Sequence, residues 1–136
     1  MKKLLALVTI LGLAIAVGAY AGDSKSGHAT TTKSATWSGE IVDAGCYIAH
    51  GAMGAKHQEC ALKCASQGMP LMLLGKDGKA ILLTPNHDNP DAYEELKKMA
   101  GSMATVTGTL AERGGVKGID VTAVAAAATT TTTGSK

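Results

Sequence analysis

Met103 to Val124 reads MATVTGTLAERGGVKGIDVTAV. Ala104, Val106, Gly108 and Leu110 recur at every second position, and so do Ile119, Val121 and Ala123. A period of two sets one face of a strand against a core. Between the two runs, ERGGVKG supplies turn residues, so the pair is predicted as a β-hairpin.

The elements upstream follow from this hairpin. DNPDAYEELKKMAG (Asp88–Gly101) is predicted as a helix, with Asn89 as cap and Pro90 in the first turn, or Asp91 and Glu94 as a capping box. Gly101 stops it, and Tyr93, Leu96 and Met103 mark its inner face. MPLMLLGKDGKAILLTP (Met69–Pro85) gives two apolar runs around an Asp77-Gly78 turn, a second hairpin. KHQECALKCASQG (Lys56–Gly68) has helical composition and ends on Gly68, while TWSGEIVDAG (Thr36–Gly45) is a strand candidate.

Five strands with a helix between the third and fourth is the order of a small OB-like barrel. The fold expected is mainly β with two short helices, the cysteine-bearing helix being inserted between strands 1 and 2. An α+β sandwich is the competing assignment. Phe is absent and Trp37 is the only Trp, so Leu, Ile, Val, Met and Ala must build the core.

The chain opens MKKLLALVTILGLAIAVGAYAG. Lys2 and Lys3, an uncharged apolar run and the small-x-small Ala19–Ala21 predict a signal peptide over residues 1–21. The run is shorter than the ~20 residues a membrane-spanning helix needs. Export to a periplasm or beyond is therefore expected, with no membrane association after cleavage. Residues 22–35 read as a flexible linker containing His28, residues 36–124 as the OB-like domain, and residues 125–136 as a disordered low-complexity tail. The formal charge of +2 consists of Lys2 and Lys3, and without them 11 basic residues balance 11 acidic ones. No basic stripe is left for a phosphate backbone, so nucleic acid is excluded as an expected partner.

HQECALKC, His57 to Cys64, carries the chemistry, and Cys46 is the only other cysteine. At 100° per residue, His57, Cys60 and Cys64 share a helix face ~60° wide. Cys60 and Cys64 at i, i+4 can share one ion. His57 lies ~10.5 Å of rise from Cys64, so either the helix starts after His57 or His57 acts from behind the ligands. Cys46, arriving from strand 1, completes a set of three thiols, with His57 as a fourth ligand or without it. Zn²⁺ takes the four-ligand set, and Cu(I) is content with thiolates alone. Met53, in a glycine-bracketed loop beside His50 and His57, is a candidate additional soft ligand. Met69, Met72 and Met103 read as gap-fillers of the core.

Export leaves a second reading open. Cys46 bridged to Cys60 or Cys64 would staple a small OB-like binding module for an envelope protein or ligand, at ~2–4 kcal/mol, with one thiol left over. Thiol redox chemistry is the third and least favoured. A nucleophile elbow, a phosphate loop and a C-x-x-C motif are all absent from the sequence, so catalysis has little support.

GEIVDAGC, then H-x-x-C-x-x-x-C before an apolar strand, then AGSMATVTGTL and GIDVTAV, resemble a family of small exported bacterial domains without an assigned activity. The resemblance covers Trp37 to Val124. It implies an OB-like barrel and a shared cysteine cluster, here Cys46, Cys60 and Cys64, and implies no reaction.

Overall fold

The computed structural model describes residues 30, 31 and 33–127. Five strands form the barrel: β1 Ala35–Asp43, β2 Leu71–Leu74, β3 Ala80–Pro85, β4 Met103–Arg113 and β5 Val116–Ala126. Three helices accompany them: α1 Ala44–His50, α2 Gln58–Ser66 and α3 Asp91–Lys97. The first of the five strands begins at Ala35 and the last ends at Ala126. Thr30–Thr31, inside the expected linker, adds a short antiparallel pairing to β4 at Glu112 and Ala111. The expected signal peptide, His28 and most of the expected tail lie outside the described residues. Among the described residues, no helix is long and apolar enough to cross a membrane.

β1 pairs antiparallel with both β2 and β4, and β2 with β3. β4 and β5 form the predicted hairpin, turning through Gly114 and Gly115. Both glycines have positive φ, 59° and 81°, the conformation a two-residue turn of this twist demands. β3 then pairs parallel with β5, from Leu82↔Gly118 to Pro85↔Val121, and closes the ring β1-β2-β3-β5-β4. This closed, mixed five-stranded barrel is the expected OB-like arrangement.

The interior is aliphatic. Ile41, Leu71, Leu83, Val106, Ile119 and Val121 are at most 2% exposed. Helix α3 plugs one end with Ala92, Tyr93 and Leu96, and the Tyr93 hydroxyl accepts a hydrogen bond from the Leu71 N–H at 3.3 Å.

Four local expectations need correction. A third helix, α1, follows β1 directly, because Asp43 caps it. Ala123 faces out and Val124 packs on the core. Thr107 faces Ala123 while Gly108 faces Val121, so Thr122 is an extra residue that flips the alternation. Met103 and Met69 are exposed (46% and 37%) rather than core fillers. Finally, the Asn89 amide donates to the Thr122 carbonyl at 2.9 Å instead of capping α3.

Candidate metal centre

The connection from β1 to β2 carries all the sulfur chemistry of the cysteines and is anchored by one residue, Asp43, the last of β1. Asp43 is 0% exposed. Its Oδ1 accepts from the Cys46 N–H at 2.8 Å, capping α1, and its Oδ2 lies 3.0 Å from Nε2 of His57. Cys46 thus sits in the first turn of α1, not on the strand. Helix α1 ends at Gly51, and a loop leads to a single 3₁₀ turn, Ala55–His57. Within that loop the Gly54 N–H donates to the Glu40 carboxylate, tying the connection back to β1.

α2 begins at Gln58, directly after His57. This resolves the reach problem: His57 is the N-cap residue of the helix, and its ring reaches Asp43 at the end of β1. Ala61 and Ala65 bury the inner face of α2, leaving Cys60 exposed and Cys64 half-buried. Gly101 allows the close approach of this helix. A β-carbon there would stand 2.5 Å from the Cα of Gln58, and Gly101 has φ +76°.

Donor atoms of Cys46, His57 and Cys60 all lie within 4.8 Å of one another, and so do those of Asp43, Cys46 and Cys64. Cys46 is common to both groups. The four residues singled out from the sequence therefore converge on one patch, as two overlapping groups rather than one. All three cysteines are free thiols. Met53 is 55% exposed on the loop, His50 is exposed at the end of α1, and His87 is exposed beyond β3.

No protein-family model, curated protein sequence or solved structure matches this chain. What the cluster can do follows from its own chemistry.

Charge at the site is negative and tightly held. Burial pushes the Asp43 carboxyl upward, but hydrogen bonds from the Cys46 N–H, His57 and the Cys46 thiol outweigh it and leave Asp43 below its ordinary value. The Cys46 thiol is pushed up to about 12, first by its hydrogen bond to Asp43, then by desolvation and by the negative field of Asp43, Cys64 and Cys60. Cys64 is raised by desolvation, then by the field of Asp43 and its interactions with Cys60. Crowded thiols beside a carboxylate hold their protons until a cation replaces them. These Cys and His groups could hold a metal ion.

Asp43 escaped the sequence reading. Its position three residues before Cys46 is a readable N-cap spacing. Its partnership with His57, 14 residues away, has no local signal.

Proposed function

We propose that the protein is an exported metal-binding domain that takes one Zn²⁺ through Cys46, Cys60, Cys64 and His57. The observation that carries this reading is the His57–Asp43 pair at 3.0 Å, placed against the thiols. Metal-ligating histidines characteristically hold a carboxylate on their other ring nitrogen, which fixes the ring and raises its basicity. With Nε2 engaged by Asp43, Nδ1 is the nitrogen left for the ion. Three thiolates and an imidazole form a tetrahedral zinc set, and a divalent ion offsets more of their charge than Cu(I) would. Cu(I) is the alternative metal, held by the thiolates without need of His57.

Exposure of Cys60 favours handling of the metal over a purely structural role. This thiol opens on a surface depression bordered by Lys56, Glu59 and Lys63. The leader-like residues 1–21 support a periplasmic or secreted location. There, a site with one open thiol suits buffering or delivery to an envelope partner.

The test is a thiol count in denaturant with a strong chelator, on protein purified without reductant, with elemental analysis of the same sample. Three thiols and about one zinc per chain are expected, with the metal lost in Cys46→Ser. His57→Ala separates the two metals. It should weaken zinc by about tenfold or more and leave Cu(I) binding unchanged. One thiol and no metal would overturn the proposal in favour of a disulfide from Cys46 to Cys60 or Cys64, for which the same proximity also allows.

A further inference from the structure

The barrel is sealed by α3 at one end and open at the other. Where the β2–β3 and β4–β5 hairpins turn, Trp37, Leu73, Ile81 and Leu110 line a cleft of about 490 Å³. Trp37, Ile81 and Leu110 are only partly buried. A five-stranded barrel ordinarily fills its interior with side chains. Here Gly75 and Ala80 complete the wall, and among the described residues no helix covers the mouth. The volume falls in the ~300–1,000 Å³ range of small-molecule sites.

The rim is charged. Lys79, Lys117 and Asp77 border the cleft, and Glu112 stands beside Lys117. Lys79 pairs with Asp77 at 3.0 Å and Lys117 with Glu112 at 3.6 Å, but all four side chains are about half exposed or more. Pairs of that kind hold their lysines only weakly, so both ammonium groups remain available to a second anion.

We propose that this mouth binds a small anionic amphiphile, its aliphatic chain against Trp37, Leu73, Ile81 and Leu110 and its carboxylate-type head between Lys79 and Lys117. The site is independent of the metal centre. Trp37 and Asp43 stand near opposite ends of β1, ~20 Å apart along the strand.

Trp37 is the only tryptophan, so its emission reports on the cleft directly. The test titrates the full chain with decanoate and with decyltrimethylammonium, each below its micelle-forming concentration. A saturable blue shift is expected with decanoate, about tenfold tighter or more than with the ammonium. The Lys79→Glu/Lys117→Glu double variant changes only exposed side chains and should reverse that preference with an unaltered circular dichroism spectrum. The proposal is overturned if decanoate gives no saturable shift, if the two head groups bind alike, or if the double variant binds decanoate as the parent does.

Discussion

Asp43 uses both carboxylate oxygens, one on the first turn of α1 and one on His57, and is fully buried while doing so. With Nδ1 on the metal, the His57 Nε2 carries its proton and donates, so in Asp43→Asn the side-chain amide would face a donor and one of the two bonds is lost. Metal affinity is expected to fall ~10–100-fold, measured by chelator competition. A buried group left unpaired also costs ~1–3 kcal/mol of stability, measured by urea unfolding. Unchanged zinc affinity would remove Asp43 from the site. The same residues set the pH limits of the metal-free protein. The Asp43 carboxyl is depressed, so its contribution is complete above its ordinary 3.8 and is lost as pH falls through the folded value. The Cys46 thiol is raised, so its contribution is complete below its ordinary 9.0 and is lost as pH rises towards about 12. Metal-free stability should therefore decline on both limbs, and Cys46→Ser should flatten the alkaline one.

At the scale of elements, the β1–β2 connection works because two short helices can be laid on the barrel at fixed positions. α1 is positioned by its cap, and α2 by the approach of Gln58 to Gly101, where the Gln58 amide also donates to the Ser102 hydroxyl at 2.7 Å. Gly101→Ala adds a methyl 2.5 Å from backbone at a positive φ. It is expected to cost ~1–3 kcal/mol and to weaken metal binding by displacing the start of α2. Urea unfolding and zinc titration of one variant check both halves. A loss of stability with zinc affinity intact would show that α2 tolerates displacement. Helix α3 has a different task. Its Leu96 is 0% exposed at the plugged end. Leu96→Ala should cost ~2–5 kcal/mol in thermal or urea unfolding while sparing the thiols.

For the molecule as a whole, the barrel core and the thiol cluster are separable. The aliphatic interior closes through β3–β5 pairing without any contribution from Cys46, Cys60 or Cys64. Chelation should therefore leave the far-UV spectrum barrel-like. Zinc present at roughly a hundredfold excess over its Kd adds ~2.7 kcal/mol. At ~4–8 °C per kcal/mol for a domain of this size, the melting temperature should rise roughly 10–20 °C. Calorimetry with and without zinc checks this, and an unmoved transition would exclude native-state zinc binding.

How much of this was legible in the chain follows from the range of each interaction. Alternation in MATVTGTL, the Gly114-Gly115 turn and the helix between the third and fourth strands are local signals. They determined the order of elements along the chain, while closure itself depends on the parallel pairing of β3 with the distant β5. The shared face of Cys60 and Cys64 was equally local, since helical periodicity alone sets it. Other features arose only from contacts between distant residues. The bulge at Thr122 depends on how β5 meets β4, so Ala123 and Val124 exchanged faces against the simple period. Asp43 became a buried partner of His57 because α1 folds the chain back over 14 residues. The open mouth at Trp37 arises where five strands converge without enough side-chain volume to fill it, a shortage that no single strand records.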